Sequence, residues 1–177
     1  SAAAKPARLA APPAERIAIV PYRPAYKKHF RALNEAWLRE HFSVEPEDTA
    51  LLADPNGRIV RRGGAVLFAL RDGEVVGTCA LLRHRPDLWE LAKMAVAAPV
   101  RGQGLGRRLA EAAIDEARRR GARTLFLETS PVLKPALALY RSLGFRRVRQ
   151  GPHGPTKYRR CTIAMVLALD PGRGGGA

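Results

Sequence analysis

Cysteine is scarce in this chain. Cys79 and Cys161 are its two thiols in 177 residues, too few for a disulfide framework. Both lie in apolar, strand-like runs and read as buried free thiols, which suits a reducing cytoplasm. The four histidines (His29, His41, His84, His153) lack metal-ligand spacing, so no metal is expected. No apolar run is long enough to span a bilayer, so no membrane partner is expected. The opening stretch SAAAKPARLAAPPAER has no continuous apolar core of the kind a signal peptide carries. Internal repeats, zinc-finger spacing and RRM signatures are all missing.

What is present is an apolar fraction of 46%, in the globular range. The length fits a single domain over residues 16–170, with an Ala/Pro-rich arm at 1–15 and a glycine-rich tail at 171–177. Lys and Arg number 31 against 16 Asp and Glu, a net charge of +15. Such a surface attracts any polyanion: nucleic acid, anionic lipid or a phosphorylated cofactor. A solvated basic surface is the plainer reading and ranks ahead of a nucleic-acid-binding face, because acidic residues are interleaved with the arginines of the central helix.

The hydrophobic pattern predicts the element order β-α-α-β-β-β-α-β-α-β-β, a mixed α/β sheet with helices on both faces. Ile17 to Val20 reads as a strand. Tyr26, Phe30, Leu33 and Trp37 recur at helical steps up to His41. VEPEDTALLADPNG reads as a short helix closed by a Pro-Asn-Gly turn. Asp72-Gly73 between two β-rich runs signals a hairpin, and LWELAKMAV follows as another strand. TLFLETS, apolar on both faces, reads as a central strand. A helix from about Gly104 to Arg120 precedes it. A second helix is expected to start at Ser130-Pro131 and stop at Gly144, before two closing strands in FRRVRQ and KYRRCTIAMVLAL.

The stretch VRGQGLGRRLAEAAIDEA carries the chemistry. Gly102, Gly104 and Gly106 lie between a strand and a helix, where backbone N–H groups lack intrahelical partners and the helix dipole is positive. Glycine lets a phosphate approach that backbone with no Cβ in the way. The dinucleotide fingerprint fails, since Arg107 or Leu109 falls where its last glycine belongs, and no Gly-Lys-Ser/Thr completes a P-loop.

The run Arg101-Gly102-Gln103-Gly104-Leu105-Gly106 resembles the R/Q-x-x-G-x-G/A signature of the GNAT N-acetyltransferase superfamily. ELAKMAVAAPVRGQGLGRRL resembles that fold's fourth strand, pyrophosphate loop and third helix, and LETSPVLKPALALYRSLGF its fifth strand and fourth helix. The resemblance implies a mixed, mostly antiparallel sheet and acetyl-coenzyme A as cosubstrate. Backbone N–H groups from Gln103 to Arg107 would hold the pyrophosphate. Met94, Ala95 and Val96 would pair with the pantetheine arm, and the N–H of Ala95 or Val96 would polarise the thioester carbonyl. Lys134 and Arg141 would reach coenzyme phosphates. Leu133 stands where many members carry an Asn facing the arm.

It further implies acetyl transfer to a primary amine by direct attack in a ternary complex. Tyr140 would act as general acid and Glu90 as general base. The alternatives are a GNAT-fold module that binds acyl-coenzyme A for regulation, and, behind it, a basic nucleic-acid-binding protein. The amine could belong to a small molecule or to a peptide or protein. Homodimers are common in the superfamily, but the sequence locates no interface. Glu40, Glu45, Glu47 and Asp48, acidic in a basic chain, are candidates to hold a cationic acceptor.

Overall fold

The structure, a computed structural model, describes residues 15–170. The tail at 171–177, and the expected arm apart from Glu15, lie outside the described residues. Glu15 pairs with Arg71.

Seven strands form one sheet. They are β1 (Ile17–Pro21), β2 (Ala65–Arg71), β3 (Glu74–Arg85), β4 (Leu88–Val96), β5 (Thr124–Thr129), β6 (Arg146–Val148) and β7 (Ile163–Ala168). Their order is β1-β2-β3-β4-β5-β7-β6. All neighbours are antiparallel except β4 and β5, which run parallel. Four helices cover the sheet: α1 (Lys27–His41), α2 (Pro46–Ala53), α3 (Leu105–Arg119) and α4 (Lys134–Ser142). The expected α/β order and mixed sheet are both present.

Period-two alternation divides the core. Leu67, Ala69, Cys79, Leu81, Trp89 and Leu91 pack with α3 and α4. Val66, Phe68 and Ala80 point the other way, against Phe30 and Leu38 of α1 and Leu52 of α2. Strands covered on both faces read as near-continuous apolar runs, as AVLFAL does. Asp72 and Gly73 both take positive φ (50° and 85°), the geometry of a tight hairpin turn whose twist matches the strands it joins. On α3, Leu109, Ala110, Ala113 and Ala117 are fully buried, so the small residues let this helix lie close on the sheet. Truncating Leu109 to Ala would cost about 2–5 kcal/mol.

Three expectations are corrected. Pro55-Asn56-Gly57 does not end the second helix in a tight turn; Asn56–Val60 continues as a wide helical turn. The fourth helix starts at Lys134 with Leu133 as its N-cap, because Ser130 closes a local turn by accepting from the Val132 N–H (3.4 Å). The last strand begins only at Ile163, since Tyr158 to Cys161 are held as a loop by side-chain partners on α2 and β4.

Candidate active site

Strands β4 and β5 pair only from Leu88 to Glu90, opposite Thr124 to Phe126. Beyond Glu90 they part. β4 stays on β3 through a bulge: Ala80 faces Ala92, but Thr78 faces Ala95, so β4 has one residue extra. Lys93 lies in that bulge at φ +54°, a left-handed conformation rare for a side-chain-bearing residue. The gap between the strands is a cleft of about 230 Å³. It passes through the sheet. Leu91, Leu127 and Tyr140 line it from the α3/α4 side, and Trp37, Glu90 and Glu128 from the other. Met94, Ala95, Val96 and Arg101 also line it.

The glycine loop abuts one end of the cleft. A Cβ on Gly106 would sit 3.8 Å from Leu139 Cδ2 and 3.9 Å from Met94 Sδ, and both of those residues border the cleft. Gly102 and Gly104 take φ +77° and +81°, and no protein atom lies within 4 Å of where their Cβ atoms would be. Gly104 caps α3 with no side-chain acceptor, and the helix ladder opens with Arg108 N–H donating to the Gly104 carbonyl (3.1 Å). The N–H groups of Leu105, Gly106 and Arg107 therefore have no intrahelical acceptor. The loop's side chains are tied back to the protein. Arg101 binds Glu40 and the Val96 carbonyl, Gln103 accepts from Arg71, and Arg107 reaches Glu111 and Ser142. What remains facing outward is bare backbone at a helix N-terminus, and it fits a pyrophosphate. Lys134 and Arg141 are on α4 but neither borders the cleft.

Tyr140 packs edge-on to Phe145, and burial pushes its phenol up to about 12. It holds its proton at any physiological pH. Glu90, opposite, takes a 2.8 Å hydrogen bond with His84 Nε2, and both side chains are largely buried. His153 stacks on His84 with ring centroids 3.8 Å apart; burial, then His84, holds its pKa below the usual value. Glu128 lies one strand over from Glu90. Burial raises its carboxyl, a hydrogen bond from Thr156 works against that and Glu90 adds to the rise, while its Oε2 is buried without a partner. Cys161 borders the cleft half-buried, its thiol raised to about 11 by burial, so it is protonated and inert.

Comparison with known proteins agrees with this geometry. Residues 23–145 match the family model described as the Acetyltransferase (GNAT) family. The chain belongs to the GNAT acetyltransferase family. It is 38% identical over 126 residues to the N-acetyltransferase YjgM of Escherichia coli, covering 67% of this chain and 75% of that one. It is 41% identical over 104 residues to the E. coli ribosomal protein bS18-alanine N-acetyltransferase, covering 58% and 70%. Among solved structures, a GNAT acetyltransferase of Staphylococcus aureus superposes with TM-score 0.80 at 21% identity, over 88% of this chain and all of that one. The Salmonella typhimurium protein yncA, solved with its cofactor acetyl-CoA, superposes with TM-score 0.70 at 26% identity, over 92% and 99%.

In this GNAT chain the acidic residues suspected of holding the acceptor are mostly occupied. Glu40 pairs with Arg101, and Glu45 with Arg160. Asp48, fully buried, binds both Lys93 and Arg160. Only Glu47 of the four stays exposed without such a pair among the described residues. Sequence reading passed over His84, Glu128, Lys93, Tyr158 and Arg160. A signal existed for Glu128: it is the sole charged residue in a central strand whose other members are apolar or threonine. The Lys93 ammonium and the Arg160 guanidinium both stack on Tyr158, 4.3 and 4.4 Å from its ring centroid. These contacts join residues far apart in the chain, and no local pattern announces them. No described helix is long and apolar enough to cross a membrane, and no group of potential metal ligands occurs among the described residues.

Proposed function

We propose that this chain is an N-acetyltransferase that takes acetyl-CoA as donor and passes the acetyl group to a primary amine by direct attack in a ternary complex. One observation carries this reading. The cleft between the parted strands starts at an open helix N-terminus and has Tyr140 on one wall and Glu90 on the other.

The donor supplies an activated thioester. The N–H groups of α3's first turn would bind its pyrophosphate, and the parted edge of β4 at Met94 to Val96 would pair with the pantetheine arm as an added strand does. Glu90 receives the proton the amine must lose, directly or through a water. The nitrogen then forms its bond to the acetyl carbon while the carbon–sulfur bond breaks. Tyr140 returns a proton to the leaving thiolate. A phenol held near 12 is a weak acid, but it is always protonated and becomes an effective donor as charge builds on sulfur. Neither cysteine is needed: Cys79 is fully buried, its thiol raised to about 12 by burial, and no acyl-enzyme is invoked.

Calorimetric titration with acetyl-CoA at near-physiological salt tests the reading. Micromolar binding by the wild type, abolished in Gly104→Val, is expected. No binding by the wild type would overturn it.

A further inference from the structure

A second cavity, of about 270 Å³, shares Glu90, Ala92, Glu128 and Tyr158 with the cleft, so these residues form the partition between the two. Its rim is mostly cationic, with Glu47 the one exposed carboxylate on it among the described residues, and its floor is acidic. Arg58, Arg62, Arg83 and Lys157 border it, all exposed. They come from three parts of the fold: the segment after α2, strand β3, and the loop between β6 and β7. The stem of Arg83 lies over Gly63, with its Cδ 3.0 Å from where a Cβ would be. None of the four makes a side-chain ion pair among the described residues, whereas Arg101, Arg107, Arg120 and Arg160 all do.

The floor is made by Glu90 and Glu128, and Glu128 Oε2 is buried with no partner. A buried carboxylate oxygen left unpaired costs free energy unless something binds it. The cavity's four unpaired cations stand at its mouth. A ligand that completes both sets of charges carries an ammonium at one end and an anion at the other. The ammonium enters first, toward Glu90, where the acetyl-transfer reading needs it. The anion stays at the rim. A polyamine would bring positive charge past four cations, and a neutral amine would gain nothing from them.

We infer that the acceptor is a small amine carrying a carboxylate or a phosphate-type group, held by Arg58, Arg62, Arg83 and Lys157 while its nitrogen meets Glu90. This inference rests on the acetyltransferase reading and adds the acceptor's class.

The test measures initial rates of coenzyme A release with a thiol reagent across a panel of amines. The panel holds free amino acids, aminoalkylphosphonates, the matching amino acid amides, and spermidine. Turnover is expected of the anionic amines, and preference between carboxylates and phosphonates identifies the anion. The double variant Arg62→Gln/Arg83→Gln is expected to raise the KM of the best acceptor on the order of tenfold or more. It should leave the Kd for acetyl-CoA unchanged, and Arg118→Gln, on the outer face of α3, should change neither. Amides or spermidine turned over as well as the anionic amines would overturn the inference. So would an unchanged KM in the double variant, or no turnover of any anionic amine by protein that binds acetyl-CoA. Failure to bind acetyl-CoA at all removes the donor assignment, and the acceptor inference goes with it.

Discussion

Lys93 Nζ lies 2.5 Å from Asp48 Oδ1, joining the bulge of β4 to the first turn of α2 beneath the surface. Arg160 forks the same carboxylate at 2.6 and 2.7 Å. The left-handed φ of Lys93 costs about 1–2 kcal/mol for an L-residue and persists because its ammonium is anchored. The ion cluster thus holds the bulge from which Met94 to Val96 run along the cleft. Asp48→Asn keeps the shape but leaves two buried cations short of charge. We expect a loss of about 3 kcal/mol in urea unfolding. Turnover should fall, and acetyl-CoA affinity should fall less than in Gly104→Val, since the glycine loop stands apart from the cluster.

The same carboxylate sets a pH dependence. Burial works to raise the Asp48 pKa, but Arg160 and Lys93 together hold it below the ordinary carboxylate value. A depressed carboxyl contributes stability that is complete above the unfolded value of about 3.9 and lost as pH falls through the lower folded value. Unfolding free energy should therefore decline below about pH 4 in the wild type. The Asp48→Asn slope there should be shallower, as denaturant curves at a series of acidic pH values would show.

Gly104 and Gly106 make opposite demands. Gly104 sits at φ +81°, and no protein atom lies within 4 Å of where its Cβ would be, which leaves the backbone open to the proposed pyrophosphate. Gly106 has an ordinary helical backbone, and a Cβ there would meet Leu139 and Met94 at normal contact distance. Gly106→Ala should stabilise the helix by about 0.5–1 kcal/mol and leave acetyl-CoA affinity within a few-fold. Gly104→Ala should lose binding at least tenfold and some stability as well. Paired calorimetry and thermal melts separate the two.

Much of this was readable from local pattern. Alternation and helical spacing reveal the strands and α3, because a sheet covered on both faces needs continuous apolar strands and a flanking helix needs one apolar side. Gly102 and Gly104 mark the candidate anion loop through their backbone demands. The partition between the cavities was not readable. His84, Glu90, Glu128 and His153 meet only once β3, β4, β5 and the β6–β7 loop have assembled, and no spacing in sequence encodes that meeting. The fourth helix misled because Ser-Pro is a good cap in isolation, whereas here Ser130 is buried in a turn and Pro135 serves the helix start instead.

Tyr140→Phe removes the proposed proton donor and keeps the ring against Phe145. The expected loss in kcat is on the order of a hundredfold, with little change in melting temperature. Because the phenol is raised to about 12, it stays protonated across the whole working range. Any alkaline decline in the wild-type rate must then come from another group. The wild-type-to-variant ratio should be flat up to about pH 10, and a ratio that falls with an apparent pKa of 8 or 9 would remove Tyr140 from the role.

Glu90 and His84 are hydrogen-bonded to each other, and in the proposed reaction only Glu90 would touch the amine. The 2.8 Å bond from His84 would fix the carboxylate proposed to accept the proton. Glu90→Gln should cut kcat/KM on the order of a hundredfold or more at neutral pH, where a primary amine is mostly protonated. Raising the pH does the base's work in solution, so the deficit should shrink as the acceptor loses its own proton. His84→Ala should cost less, on the order of tenfold, and His84→Asn should recover part of it by restoring a polar neighbour. A merely structural role for Glu90 would leave a deficit independent of pH. That contrast decides whether the carboxylate moves a proton or only completes the floor of the acceptor cavity.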